Sequence, residues 1–191
     1  GEMSTTPGDR QDKDALRIYR FMEKAVLGSL KEAVKPVTDT SDALEVDVFC
    51  SLRFGEAMAQ AKQVREELQS QFKLRVTIID VPEGQDIGDA VALKIEAAKL
   101  VVIFGTETYG RGTMSCFSTK EELQFIKDQN KPFFLIKMCD NFVEPRTRMI
   151  LNGSVSYALW PPGTPMPTDL PANIYKRFQR IIETTPPVPP K

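Results

Sequence analysis

The stretch Leu100-Val101-Val102-Ile103-Phe104 is the most continuous apolar run in the sequence and decides the fold class. It lacks the alternation of apolar and polar residues that marks a strand with one face in water. Such a run is typical of a strand buried on both faces, as in parallel sheets covered by helices. The run is far too short to span a bilayer. We therefore expect a buried strand of a parallel sheet.

Strand and helix signals alternate on both sides of this run. Further strands are predicted at residues 46–52, 74–81, 133–138 and 156–160, and helices at residues 56–71, 88–99, 119–129 and 170–183. This alternation with short loops predicts a doubly wound, five-stranded parallel sheet flanked by helices. Ligands of such folds bind beyond the carboxyl ends of the strands, where the strand order reverses. The loops after Leu52, Val81, Phe104 and Met138 are therefore the candidate binding loops.

The two ends of the chain have a different character from the predicted domain at residues 44–183. Residues 1–43 are predicted to form a polar tail, an extra amphipathic helix near residues 12–34 that Pro36 ends, and a linker. The Pro-rich residues 184–191 are predicted to be an extended linker rather than an SH3-domain ligand.

Composition excludes several kinds of chemistry. The 191 residues are 41% hydrophobic and 27% charged with a net charge of −1, so no electrostatic bias toward nucleic acid or an anionic membrane is expected. Histidine is absent, which excludes Ser-His and Cys-His triads and His-ligated zinc. Cys50, Cys116 and Cys139 form no CxxC pair, so we expect no metal or redox site. Three widely spaced cysteines favour a reducing, cytoplasmic setting.

Four segments, in the correct order, resemble the Toll/interleukin-1 receptor (TIR) family. Residues 47–54 (Asp-Val-Phe-Cys-Ser-Leu-Arg-Phe) resemble its opening strand, and residues 80–87 resemble the loop after its second strand. Residues 97–104 resemble its third strand, and residues 131–136 its fourth. The resemblance covers roughly residues 44–183 and implies a flavodoxin-like, doubly wound domain.

The sequence also departs from the family pattern. The third strand ends in Gly105-Thr106-Glu107-Thr108-Tyr109-Gly110, where the family usually has a Ser-rich turn of the form S-x-x-Y-x-x-S. The family's Trp near the next helix is missing, with Phe117 or Ser118 in its place. These departures indicate a divergent branch.

Some TIR domains cleave the bond between nicotinamide and ribose in NAD with one glutamate in the helix after the third strand. The resemblance therefore implies a catalytic Glu122 or Glu121. Ser118 to Glu121 form a capping-box pattern, which gives Glu121 a structural task and leaves Glu122 as the favoured catalytic residue. The alternative is that both are solvated carboxylates, favourable at a helix start through the helix dipole.

The same resemblance implies the substrate-binding residues. Arg53 would contact phosphate and Phe54 would stack on the nucleotide. The remaining predicted substrate-binding residues are Ser51, Gly84, Ile87 and Phe117. Residues 105–112 lack the Lys-Ser of a P-loop, so we interpret them as a flexible lip over the site. NAD is expected as substrate, with no separate cofactor and no metal.

Three functions follow from this reading. The favoured one is an NAD glycohydrolase or cyclase that self-association with other TIR domains activates in signalling or immune defence, without nucleic-acid or membrane partners. The first alternative is a non-catalytic TIR interaction and scaffold module. The second is a nucleoside deoxyribosyltransferase-like enzyme, which also acts on an N-glycosidic bond with a glutamate.

Overall fold

A computed structural model describes residues 45–79, 88–112, 118–153 and 157–184. The chain divides into two units, Gly1–Ala43 and Leu44–Lys191, and every described residue belongs to the second. The predicted N-terminal helix and the predicted Pro-rich linker lie outside the described residues.

Five strands form one parallel sheet with the order β2-β1-β3-β4-β5. The strands are β1 (Val48–Ser51), β2 (Val76–Ile78), β3 (Leu100–Gly105), β4 (Phe133–Lys137) and β5 (Tyr157–Leu159). All six residues of β3 are buried. The predicted flavodoxin-like sheet is therefore confirmed, and the apolar run that indicated it lies in its centre.

Five helices are described: α1 (Phe54–Phe72), α2 (Gly88–Ala97), α3 (Thr119–Asp128), α4 (Pro145–Leu151) and α5 (Leu170–Thr184). Four of them were predicted, with ends that differ by one to a few residues. The sequence analysis missed α4, which has only seven residues and buries only Thr147 and Leu151. A helix this short shows no apolar stripe, and its main sequence signal is Pro145 at its start.

The core lies in two layers, one on each face of the sheet. Because side chains alternate along a strand, even-numbered strand residues such as Val102 pack with α1 and α5. Odd-numbered residues such as Val101 and Ile103 pack with α2 and α3. Ser51 belongs by this alternation to the second face, and that places its hydroxyl on the side of α3.

An ionic cluster joins the amino-terminal ends of three neighbouring strands. Asp47 is 7% exposed and accepts hydrogen bonds from the Arg75 amide at 3.0 Å, from Arg75 Nε at 3.2 Å and from Lys99 Nζ at 2.9 Å. Burial alone would raise the pKa of Asp47, but these hydrogen bonds outweigh it and lower the pKa to about 2. The charge on Asp47 is therefore fully compensated.

None of the described helices is both long enough and apolar enough to cross a membrane.

Candidate active site

The strand order reverses beside β1, which lies between β2 and β3 in the sheet. In doubly wound folds this switch point marks the position of the ligand, beyond the carboxyl ends of the strands. Ser51 is the last residue of β1, and the loop that begins at Thr106 leaves β3 next to it. The first turn of α3 brings Glu122 to the same place.

The Glu122 carboxylate is buried and meets the end of β1 directly. Its side chain is 9% exposed, and the Ser51 hydroxyl donates a hydrogen bond to its Oε2 atom. Ser51 itself is 1% exposed. The alternative that Glu122 is a solvated helix-start carboxylate is therefore wrong.

Tyr109 completes a cluster of three buried polar side chains. Its ring is fully buried, and its hydroxyl lies 2.6 Å from Ser51 Oγ. The cluster therefore joins β1, the loop after β3, and α3. Sequence reasoning missed Tyr109, which lies in the loop that follows β3. The available signal was a polar aromatic residue in a loop that follows a buried strand.

Burial changes the acidity of this cluster. It raises the pKa of Glu122 to about 7, the neighbouring Glu121 charge adds to the rise, and the hydrogen bond from Ser51 opposes it. Burial, followed by the charge on Glu122, also raises the pKa of Tyr109 well above its usual value. Among the described residues no lysine or arginine forms an ion pair with Glu122. A carboxyl group with these properties is a candidate functional group.

Glu121 has the structural role that the sequence predicted. The backbone amide of Ser118 donates to Glu121 Oε2 at 2.9 Å, and Ser118 Oγ accepts from the backbone of the first turn of α3. This capping box satisfies amides that the helix start would otherwise leave unpaired. The catalytic role of Glu122 stays a prediction. The Glu121 carboxylate is engaged in the capping box.

Arg53 is held by the loop after β3. Its Nη1 atom donates to the carbonyls of Thr108 at 3.2 Å and Arg111 at 3.3 Å, and its Nε lies 3.2 Å from Glu56 Oε1. In this arrangement Arg53 ties the start of α1 to that loop. Its predicted contact with phosphate stays a prediction.

Phe54 begins α1 and is 42% exposed, so its ring is accessible to a ligand. Its predicted stacking role stays a prediction. Ser51, also predicted to bind substrate, is buried against Glu122, and its contact with substrate stays a prediction. Gly84, Ile87 and Phe117 lie outside the described residues.

Residues 105–112, interpreted from sequence as a flexible lip, are anchored at several points. Thr147 Oγ1 donates to the Tyr109 carbonyl at 3.1 Å, and the Gly110 amide donates to Thr119 Oγ1 at 3.0 Å. Gly110 has a φ of +81°, a left-handed conformation that favours glycine. The loop is therefore fastened to both α3 and α4.

An open cleft of about 600 Å³ lies beyond the carboxyl ends of β3 and β4. Its lining is rich in acidic and polar residues: Glu56, Thr106, Glu107, Met138, Cys139, Asp140, Asn141 and Pro162. Glu122 does not line it, so the carboxylate and the cleft are separate features of this edge of the sheet.

No group of three or more cysteine and acidic side chains in the described segments is placed to hold a metal ion. The polar cluster at the carboxyl end of β1 consists of the Glu122 carboxyl group and the hydroxyl groups of Ser51 and Tyr109.

No protein-family model matches the sequence, and no curated protein matches it. Two similar solved structures are TIR domains. The TIR domain of the Toll-related receptor TRR-2 from Hydra magnipapillata is 11% identical, with a TM-score of 0.49 over 72% of this chain and 98% of that chain. The RPS4 and RRS1 TIR domain heterodimer is 12% identical, with a TM-score of 0.47 over 72% of this chain and 97% of that chain. The fold class given above follows from the strand order of this chain itself.

Proposed function

We propose that the chain is a TIR-type NAD glycohydrolase or cyclase, with Glu122 as its catalytic residue. The observation that supports this most strongly is the position of Glu122. It is a buried carboxyl group, hydrogen-bonded to Ser51, at the switch point between β1 and β3. The sequence resemblance to NAD-cleaving TIR domains favours the same residue.

The chemistry needs little more than one carboxylate. When the bond between nicotinamide nitrogen and ribose C1′ breaks, both bonding electrons go to the nicotinamide, which leaves neutral because its ring was cationic. The ribose then carries the positive charge, and an ionised Glu122 stabilises it. Attack at C1′ by water gives ADP-ribose and releases one proton, whereas attack by a nitrogen of the adenine gives a cyclic product. No group has to protonate the leaving group, so the absence of histidine is no obstacle.

Access to Glu122 has to change during such a reaction. Its side chain is only 9% exposed, so a nucleotide reaches it only if neighbouring segments move. Self-association with other TIR domains, which the resemblance implies, is the proposed trigger for that movement. The specific activity should then rise with protein concentration.

The alternatives differ from this proposal in what they bind. A scaffold module is favoured by exposed apolar side chains, of which Met149 at 71% and Leu159 at 59% are the most exposed. A deoxyribosyltransferase would use the same carboxylate on a nucleoside. In a scaffold without catalysis, the buried charge on Glu122 would lower the stability of the fold and serve no function.

The test is to incubate concentrated protein with NAD and, separately, with a 2′-deoxyribonucleoside plus a second free base. Chromatography should detect nicotinamide together with ADP-ribose or a cyclic product in the first mixture only. Transfer of deoxyribose to the second base would favour the transferase. No product in either mixture at any protein concentration would favour the scaffold.

A further inference from the structure

Three buried side chains form a hydrogen-bond chain whose direction follows from the number of their protons. An ionised carboxylate accepts hydrogen bonds only, so the single proton of the Ser51 hydroxyl is donated to Glu122. Ser51 Oγ can then only accept from Tyr109, whose hydroxyl lies 2.6 Å away. The chain therefore runs from Tyr109 through Ser51 to Glu122.

The reverse direction is less well satisfied. If Glu122 carried the proton and donated it to Ser51, Ser51 would donate to Tyr109. The Tyr109 proton would then need another acceptor, and within the described residues its hydroxyl bonds only to Ser51. A buried donor without an acceptor costs about 1–3 kcal/mol. With the direction from Tyr109 to Glu122 every proton has an acceptor, and a hydrogen bond to an ionised carboxylate is stronger than one to a neutral carboxyl, so the chain favours the ionised form.

We propose that Ser51 and Tyr109 are positioning residues that form a two-hydroxyl relay and hold Glu122 in its charged form and in one orientation. The inference deepens the proposed function and rests on it for the catalytic meaning of Glu122. It adds a second role to Ser51, whose predicted contact with substrate stays a prediction.

The titratable groups near Glu122 do not stabilise its negative charge. Glu121, on the same helix, and Tyr109, from the loop after β3, are the titratable groups that interact with it among the described residues, and neither supplies a positive charge. Burial disfavours the ionised form, and the hydroxyl of Ser51 is the group that opposes burial. The Ser51 hydroxyl, which Tyr109 polarises, therefore offsets part of the cost of burying the charge.

The backbone fixes the relay in place. Ser51 belongs to β1, a strand paired on both sides. Tyr109 is held by the hydrogen bond from Thr147 Oγ1 to its carbonyl and by its own amide, which donates to Thr106 at 3.1 Å. The two hydroxyls thus have little freedom to leave Glu122.

The test is a carboxyl titration by ¹³C NMR on the full chain labelled at glutamate, without substrate. The signal of Glu122 is assigned by its absence in Glu122→Gln. Ser51→Ala and Tyr109→Phe each remove one hydroxyl of the relay. Thr106→Val is the matched control, since Thr106 Oγ1 is buried without a hydrogen-bond partner in the described chain.

We expect Ser51→Ala to raise the midpoint of the Glu122 titration by about one pH unit, the size of one lost hydrogen bond. Tyr109→Phe should raise it by about half as much, because Tyr109 acts through Ser51. Thr106→Val should leave it unchanged. An unchanged midpoint in Ser51→Ala, or a shift there with none in Tyr109→Phe, would overturn the relay.

The same titration separates this inference from the proposed function. If wild-type protein releases no nicotinamide while Ser51→Ala and Tyr109→Phe still raise the Glu122 midpoint, the NAD activity is contradicted and the relay is supported. If wild-type protein releases nicotinamide and neither variant raises the Glu122 midpoint, only the relay is contradicted. In active protein, the acid limb of kcat/KM should move with the midpoint.

Discussion

At the scale of single residues, Glu122 is a group that the fold accommodates at a cost. Its pKa of about 7 in the folded chain exceeds the usual value of 4.5. Between these two pH values the folded state binds its proton more tightly than the unfolded state does. Stability therefore falls as pH rises from about 4.5 to about 7, by roughly 3 kcal/mol when complete.

Glu122→Gln should remove this pH dependence. Glutamine keeps the acceptor for Ser51 without the charge, so at pH 8 the variant should be more stable than wild type by about 1–3 kcal/mol, and at pH 5 similar to it. Urea unfolding at the two pH values measures the difference. Glu121→Gln is the control, since it weakens the capping box and should lower stability by about 0.5–1 kcal/mol at both. A Glu122→Gln variant that loses stability between pH 5 and 8 as wild type does would contradict the assignment.

The sequence could separate the two glutamates because a capping box is a local pattern. Ser118 and Glu121 stand three residues apart, and the predicted bonds between them are present. Tyr109 could not be found in this way. Its contact with Ser51 spans 58 residues and depends on β3 lying next to β1, which only the strand order decides.

At the scale of elements, the loop after β3 is the part that sequence described least well. Its glycines and threonines indicated flexibility, whereas hydrogen bonds fasten it to α3 and α4. One of its anchors is Thr147 of α4, a helix too short to leave an apolar stripe in the sequence. The long strand β3 and the amphipathic α1 were predicted, because each is decided by its own residues.

Gly110→Ala should test whether this loop is fixed. A methyl group there would collide with Thr147 Oγ1 while the backbone keeps a φ of +81°. Gly163→Ala is a matched control, since Gly163 has a φ of +77° and open space around it. We expect losses of about 2–4 kcal/mol for Gly110→Ala and about 1 kcal/mol for Gly163→Ala in urea unfolding. Equal losses would show that Thr147 does not confine the loop.

At the scale of the whole described domain, each end of the sheet carries a buried carboxyl group, and the two groups differ in their partners. At the amino-terminal end, the charge of Asp47 is matched by Arg75 and Lys99. At the carboxyl end, the side chain of Glu122 is buried and its hydrogen-bond partner among the described residues is the Ser51 hydroxyl. The first arrangement stabilises the fold. The second costs stability, which is typical of functional sites.

The fold class could be predicted because it depends on apolar periodicity along the whole chain. The candidate site could be predicted only in part. Ser51 lies in a segment that resembles a known family, and Glu122 follows a capping-box pattern, but the hydrogen bond between them is a property of the folded sheet. Arg53 donates to two loop carbonyls, which its place in the sequence does not reveal, and its expected contact with phosphate stays a prediction.

The most direct test of the central claim is nicotinamide release from NAD by concentrated wild-type protein, Glu122→Gln and Glu121→Gln, each shown to be folded by circular dichroism. We expect release by wild type and Glu121→Gln, and a fall of about 10²-fold or more in Glu122→Gln, as for other groups that stabilise transition-state charge. Release by Glu122→Gln at the wild-type rate would contradict the account.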